Sequence, residues 1–120
     1  MKVVYVAGRY SGKDRNEVSE NIALARKYAI EIWRIGHVAL CPHLNTAHFD
    51  DDIVLSAEEY YKRDLKMLER CDVIFMLPNW QQSTGAKIEL EFARANDIPA
   101  IFDLAELKSP IPFTTKDCNE

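Results

Sequence analysis

Two acidic side chains on separate predicted helices are the strongest candidates for chemistry in this sequence. Glu89 lies between two apolar residues, one to two turns into a helix that opens directly after a buried strand. Asp64 comes four residues after Tyr60, which places it on the apolar stripe of its helix. Because an unpaired buried carboxylate is unfavourable, Asp64 needs a partner. That partner is Arg63, Lys66 or a helix N-terminus, or else a ligand donor in a cleft that Glu89 also faces.

Two carboxyl groups that converge on one cleft can break a bond without a metal ion. An ionised carboxylate attacks a carbon that becomes positively charged, and a protonated one gives its proton to the leaving group. For Glu89 the alternative is an ordinary solvated helix face, on which Lys87 and Glu91 form an i, i+4 pair. The residues alone leave both interpretations open.

Two segments have the character of anion-binding sites. The segment 83–86 (Ser-Thr-Gly-Ala) opens a helix after a buried strand, so free backbone N–H groups and the helix dipole can hold an anion. The loop from Gly8 to Asp14 carries Arg9, Ser11 and Lys13. By charge and position these three residues are phosphate donors, although a merely solvated loop is an equal alternative.

The same loop departs from two familiar nucleotide-binding motifs. It has three residues between Gly8 and Gly12 instead of the four of a P-loop, and no Ser or Thr follows Lys13 to hold magnesium. No second glycine stands two residues after Gly8, so the dinucleotide fingerprint is also missing. Neither an NTPase nor a dehydrogenase is favoured.

The histidines and cysteines give no recognised metal or redox motif. His43 and His48 lie near the acidic run that starts at Asp50, but their spacing fits no standard zinc pattern. The three cysteines, with no Cys-x-x-Cys pair, are Cys41, Cys71 and Cys118. We expect free thiols in a reducing compartment, no bound metal and no cofactor.

Buried β-branched runs alternate with helical periodicity along the chain. Four strands are predicted, at Lys2–Ala7, His37–Cys41, Asp72–Leu77 and Pro99–Phe102. Three helices are predicted between them, at Glu17–Ile35, from Ser56 to about Arg70, and from 84 to about Asn96, with a loop from Pro42 to about Val54. This alternation predicts an α/β fold: a single-domain, three-layer sandwich with a four- or five-stranded parallel sheet, flavodoxin-like or Rossmann-like.

The candidate residues gather at one edge of that predicted sheet. In an open parallel sheet ligands bind beyond the carboxyl ends of the strands. We therefore expect three loops to meet at the site, namely Gly8–Asp14, Pro42–Leu55 and Pro78–Thr84.

Length and charge exclude several classes of protein. The chain has 120 residues, 48% of them apolar, which suits one domain with its own core. Its net charge of −4 and scattered basic residues argue against a nucleic acid polymer as partner. No apolar run approaches the roughly 20 residues that cross a bilayer, and there is no signal-peptide layout. We expect a cytoplasmic protein that does not bind membranes.

Four short motifs, in order, carry a resemblance to a known family. The sequence resembles the nucleoside 2′-deoxyribosyltransferase superfamily from Val3 to about Ile101. The motifs are Tyr5-Val6-Ala7-Gly8, Arg63-Asp64-Leu65, Cys71-Asp72-Val73-Ile74 and Ser83-x-Gly85-x-x-x-Glu89-Leu90. The spacing of the last motif is most similar to that of the 2′-deoxynucleoside 5′-phosphate N-hydrolases.

The resemblance implies a role for each matching residue. Glu89 would attack the anomeric carbon of the sugar and form a covalent glycosyl-enzyme, and Asp64 would help to protonate the departing base. Tyr5 would orient Glu89 and hold it ionised, whereas burial would raise the proton affinity of Asp64. Ser83 stands where transferases of free nucleosides carry an aspartate, and it would bind the 5′-phosphate.

The implied activity is hydrolysis of the N-glycosidic bond of a (deoxy)nucleoside 5′-monophosphate. The alternatives are base exchange between free nucleosides and a nucleotide-binding module without turnover.

We assign the catalytic domain to residues 1–103 and a tail to 104–120, and expect a homodimer or higher homo-oligomer. Tyr60 and Tyr61 are interpreted as core residues. The predicted substrate-binding residues are Gly8, Arg9, Tyr10, Ser11, His43, Trp80, Ser83 and Gly85.

Overall fold

The sheet and its helices follow the predicted alternation. The computed structural model describes residues 1–47 and 49–108. Its strands are β1 (Val3–Ala7), β2 (Val38–Leu40), β3 (Val73–Met76) and β4 (Ala100–Ile101). Its helices are α1 (Arg15–Arg34), α2 (Pro42–Asn45), α3 (Ala57–Leu68), α4 (Thr84–Ala95) and α5 (Ala105–Lys108).

The four strands within residues 1–47 and 49–108 are all parallel, in the order β2-β1-β3-β4. Tyr5 pairs with Leu40 of β2 on one side and with Ile74 of β3 on the other. The strand order reverses between β1 and β3, so the chain leaves these two strands in opposite directions and opens a crevice at their carboxyl ends. The predicted parallel sheet is confirmed with four strands.

Apolar side chains form one core on each face of the sheet. On the first face α1 and α5 cover Val4, Val6 and Phe75. On the second face α3 and α4 cover alternate residues of the same strands, among them Tyr5 and Ile74. Because successive strand residues point to opposite faces, the two cores interleave along β1 and β3. The predicted three-layer sandwich is confirmed.

Side-chain caps fix where the long helices begin. Asp14 accepts a hydrogen bond from the backbone N–H of Glu17 at the start of α1. Ser56 and Ser83 do the same at the first turns of α3 and α4. Such caps satisfy backbone donors that a helix leaves unpaired, so each loop passes into its helix at a defined residue.

The segment after β2 differs from the predicted continuous loop. It contains α2 and a 3-10 turn at Phe49–Asp51. Pro42 stops the strand, as expected, but it also begins α2, because proline is well suited to a first helical position. The fourth strand is two residues long, shorter than the predicted Pro99–Phe102.

Several predictions fall wholly or partly outside the described residues. They concern His48, Cys118 and the tail from residue 109 onward.

The other two cysteines, Cys41 and Cys71, are buried free thiols, as expected. Within 1–47 and 49–108, no helix combines the length and hydropathy that a bilayer span requires.

Candidate functional site

A cavity of about 640 Å³ opens at the carboxyl edge of the sheet, beside the crevice between β1 and β3. Its volume falls in the range of small-molecule sites. The three loops predicted to meet there all contribute to its wall, together with side chains of α1, α3 and α4. The lining residues are Gly8, Arg9, Tyr10, Ser11, Gly12, Val18, Pro42, His43, Thr46, Ala57, Tyr60, Tyr61, Asp64, Gln82, Ser83, Thr84, Gly85, Ala86 and Glu89.

Glu89 lies at the inner wall of the cavity, on the buried side of α4. Only 7% of its surface is exposed, so the solvated-face interpretation is wrong. The Tyr5 hydroxyl, fully buried on β1, donates a hydrogen bond to Glu89 Oε2. Burial and the neighbouring carboxylates raise the pKa of Tyr5 well above its usual value, so Tyr5 remains a hydrogen-bond donor.

Asp64 faces the same cavity from α3. Neither predicted cationic neighbour pairs with it, because Arg63 binds Glu59 and Lys66 binds Glu69. Across the described parts of the chain, the Asp64 carboxyl group has no hydrogen bond or ion pair. Partial burial raises its pKa to about 6. Asp64 is therefore available to a ligand.

The protonation of the resting site differs from the expectation that Tyr5 keeps Glu89 ionised. The pKa of Glu89 is raised from 4.5 to about 8, mainly by burial and to a smaller extent by the charge of Asp64. The hydrogen bond from Tyr5 lowers it, but by less than desolvation raises it. Near neutral pH burial therefore favours the protonated form of Glu89, and Asp64 is the more acidic of the two groups.

The N-terminus of α4 forms another wall. Ser83 Oγ accepts a hydrogen bond from the Ala86 N–H at 3.0 Å and so caps the helix while lining the cavity. A Cβ added to Gly85 would lie 2.8 Å from Cε1 of Tyr61. Glycine is thus required for the tyrosine ring to lie against the first turn of α4.

Arg9 lies in the loop between β1 and α1, and its side chain bridges α1 and the turn before α4. Its guanidinium group lies 2.9 Å from Glu17 Oε1 and donates to Gln82 Oε1 at 3.3 Å. A Cβ on Gly8 would lie 2.5 Å from Cδ1 of Leu77, so only glycine allows this close passage of the loop. Lys13 is exposed and does not line the cavity.

Aromatic rings and one imidazole make up the opposite wall. His43 and Tyr10 pack edge to face, with ring centroids 5.4 Å apart. Burial lowers the pKa of His43, and its Nε2 has no hydrogen-bond partner among the described residues. Tyr60 and Tyr61 also line the cavity, so interpreting them as core residues alone is wrong.

Trp80 is the one predicted substrate-binding residue that is not part of the described cavity wall. Its ring packs on Phe102, with centroids 5.7 Å apart, and it joins the core on the second face of the sheet. Stacking of Trp80 on a ligand is therefore not supported.

Two positions near the site were missed in the sequence. Asn21 lies three residues after Val18 and four before Ala25, so it is a polar residue on the buried stripe of α1, a signal that the periodicity contains. Glu17, which binds Arg9, gives no comparable signal. Among the described residues, no group of three or more His, Cys, Asp or Glu side chains is placed to hold a metal ion.

Comparison with known proteins gives one family and one fold. Residues 2–102 match the profile of the family called "Domain of unknown function (DUF4406)". A search of curated proteins finds no match.

Two similar solved structures share this architecture. A 2-deoxyribosyltransferase from Bacillus psychrosaccharolyticus aligns over 86% of this chain and 78% of its own, with 19% identity and a TM-score of 0.56. A 2-desoxiribosyltransferase from Leishmania mexicana aligns over 85% of this chain and 63% of its own, with 20% identity and a TM-score of 0.58. At these identities the similarity is one of fold.

Proposed function

This chain belongs to the DUF4406 family, and we propose that it cleaves the N-glycosidic bond of a nucleoside 5′-monophosphate, releasing the free base and a sugar phosphate. The observation that carries the proposal is the placement of Glu89 and Asp64 on two helices that face one cavity. The Tyr5 hydroxyl that donates to Glu89 adds the third member of the proposed catalytic group. The fold shared with two 2-deoxyribosyltransferases is consistent with it.

The proposed reaction is a double displacement at the anomeric carbon. Glu89 forms a bond to that carbon as the bond to the base nitrogen breaks, and the electron pair of the broken bond leaves with the base. Asp64 gives the base a proton. Water then attacks the glycosyl-Glu89 ester, Asp64 takes a proton from that water, and Glu89 is released as a carboxylate.

The first step requires a different distribution of protons between Glu89 and Asp64 from that of the resting protein. Glu89 must be ionised and Asp64 must be protonated. The active form therefore carries one proton on Asp64, whereas in the resting protein that proton is on Glu89. Positive charge on the sugar in the transition state favours ionised Glu89. Tyr5 stabilises that ion because it remains a donor.

The polar groups around the cavity suit a phosphate and a sugar–base unit. The first turn of α4, capped by Ser83, supplies backbone donors and a positive dipole end, and Arg9 supplies a cation on the same wall. The neutral His43 offers an acceptor at Nε2 for a hydroxyl or amine of the substrate. The rings of Tyr10 and Tyr61 offer apolar surface for a base.

A second candidate function is base exchange between free nucleosides. The two solved structures with this fold are described as deoxyribosyltransferases, which favours it. The same glycosyl-Glu89 intermediate serves both reactions, and the acceptor is a second base instead of water. Formation of a new nucleoside on adding a second free base would identify the exchange reaction.

Replacing Asp64 with Asn is expected to slow base release by about 10²- to 10⁴-fold, because the amide has no proton to give. The assay incubates the protein with a panel of deoxy- and ribonucleoside 5′-monophosphates and follows free base by chromatography. For substrates whose base is a better leaving group, the rate of the Asp64→Asn variant should fall by a smaller factor relative to the parent. Asp97→Asn is the matched control, since Asp97 is exposed, distant from the cavity wall and in a left-handed conformation that asparagine tolerates. An Asp64→Asn variant as fast as this control contradicts the role of Asp64.

Replacing Ser83 with Asp is expected to weaken binding of the nucleoside monophosphate at least about tenfold, with little effect on the free nucleoside. Aspartate caps a helix as well as serine, so α4 should begin unchanged while a negative charge enters the proposed phosphate site. Calorimetric titration with both ligands measures the effect. Ser56→Asp makes the same exchange at the N-cap of α3 and should bind both ligands normally. Equal weakening of the two ligands by Ser83→Asp would remove the phosphate assignment.

A further inference from the structure

Asn21 is a buried polar side chain that acts on the loop between β1 and α1. It lies on α1 with 9% of its surface exposed. Its side-chain amide donates to the backbone carbonyl of Tyr10 at 3.1 Å and to that of Ser11 at 3.2 Å. The backbone carbonyl groups of two successive residues therefore accept hydrogen bonds from the same side chain.

That arrangement also fixes the direction of two backbone donors. The described peptide bonds contain no cis form, and in a trans peptide unit the N–H points opposite to the carbonyl. The N–H groups of Ser11 and Gly12 therefore point away from Asn21. Both residues line the cavity, and within 1–47 and 49–108 neither N–H has a hydrogen-bond partner.

Asn79 holds the preceding part of the same loop. Its Oδ1 accepts the N–H of Arg9 at 3.0 Å, and its amide donates to Asn21 Oδ1 at 3.5 Å. A Cβ on Gly8 would lie 2.8 Å from Asn79 Oδ1. The two asparagines thus tie the loop to α1 on one side and to the segment after β3 on the other.

We propose that Asn21, supported by Asn79, is a positioning residue that sets the preference of the cavity for a substrate carrying an anionic group. Asn21 does not touch the substrate. It holds two carbonyl oxygens, which would repel an anion, on the far side of the loop and leaves the Ser11 and Gly12 N–H groups for the anion. The inference rests on the proposed function, because it takes the substrate to be a nucleoside monophosphate.

The test replaces Asn21 with Asp, which keeps the size of the side chain but exchanges the amide group, with its two N–H donors, for a charged oxygen that only accepts. We expect the KM for the monophosphate to rise by about 10- to 100-fold, as for other small displacements of binding groups. The KM for the corresponding nucleoside, and kcat for both, should change by less than about threefold. A merely structural role would raise both KM values together, and that outcome would overturn the proposal.

Asn96→Asp provides the matched control. Asn96 donates to the carbonyl of Phe92 at 2.8 Å, so the exchange removes the same kind of hydrogen bond, at the exposed end of α4. Its ratio of the two KM values should equal that of the unaltered protein. An Asn21→Asp ratio equal to the Asn96→Asp ratio rejects the positioning role.

A measurement on the unaltered protein needs neither folding of a variant nor turnover. Titration with a 2′-deoxynucleoside 5′-monophosphate should move the amide proton resonances of Ser11 and Gly12 downfield, and the corresponding nucleoside should not. Unmoved resonances at saturation, or no binding of the monophosphate, overturn the proposal. Absence of base release in a protein that gives these shifts would reject the proposed reaction and leave the role of Asn21 standing.

Discussion

Replacing Glu89 with Gln is expected to lower the rate of base release at least about 10³-fold while the protein remains folded. The amide has the shape of the carboxyl group and can still accept the Tyr5 hydrogen bond, but it cannot form the glycosyl ester. Rates are measured by chromatography of the released base, in the same assay as for Asp64. In the unaltered protein, acid quenching during turnover followed by mass spectrometry should find the sugar phosphate attached to the peptide that contains Glu89.

The control for this variant is Glu91→Gln. Glu91 lies two residues further along α4 on its exposed face, so the exchange removes the same charge outside the cavity. It should leave both the rate and the trapped adduct unchanged. Turnover by Glu89→Gln within about tenfold of the parent would mean that another group attacks the sugar, and the proposed mechanism would be rejected.

Raising the pH from about 5 to about 9 is expected to destabilise the parent protein relative to Glu89→Gln by a few kcal/mol. The ordinary pKa of a glutamate is 4.5, and in the folded protein that of Glu89 is about 8. At a pH above 4.5 the Glu89 side chain of the unfolded chain loses its proton to water. The folded protein must either keep that proton or bury a negative charge. The stability that neutral Glu89 contributes is thus complete below about pH 4.5 and lost as the pH rises through about 8.

Urea denaturation of both proteins at several pH values measures this difference. Asp64 acts in the same direction at lower pH, since its pKa is raised to about 6, and His43 acts in the opposite direction because burial lowers its pKa. Both are present in the variant as well, so subtracting the two stability curves gives the contribution of Glu89 together with its electrostatic coupling to Asp64. Parallel curves from about pH 5 to about pH 9 would show that Glu89 is not buried in its neutral form.

The alternation of strands and helices could be predicted because it depends on local patterns. Uninterrupted apolar runs indicated β1 and β3, the spacing of apolar residues indicated α1, and a capping-box pattern indicated the start of α3. The same local signals failed after β2, where Pro42 was interpreted only as the end of a strand. Proline also begins helices, and a single residue does not distinguish the two uses.

Candidate residues of the site could be named from the sequence, but the order of the pKa values of its two carboxyl groups could not. Spacing placed Asp64 on an apolar stripe, the helix after a buried strand drew attention to Glu89, and the resemblance to a known family added Tyr5. The order of the two carboxyl pKa values depends on how deeply each group is buried once the helices pack, which no local pattern contains. The environment of Trp80 depends in the same way on packing, because its partner Phe102 comes from another part of the chain.

The hydrogen bond between Tyr5 and Glu89 joins residues 84 positions apart. A chain emerging from the ribosome therefore exposes the strand bearing the tyrosine long before its partner is synthesised. Incomplete products that stop before α4 lack Glu89, the attacking group of the proposed reaction, and should therefore be inactive. The proposed site should therefore form late in folding, when α4 docks on the sheet and brings Glu89 to Tyr5.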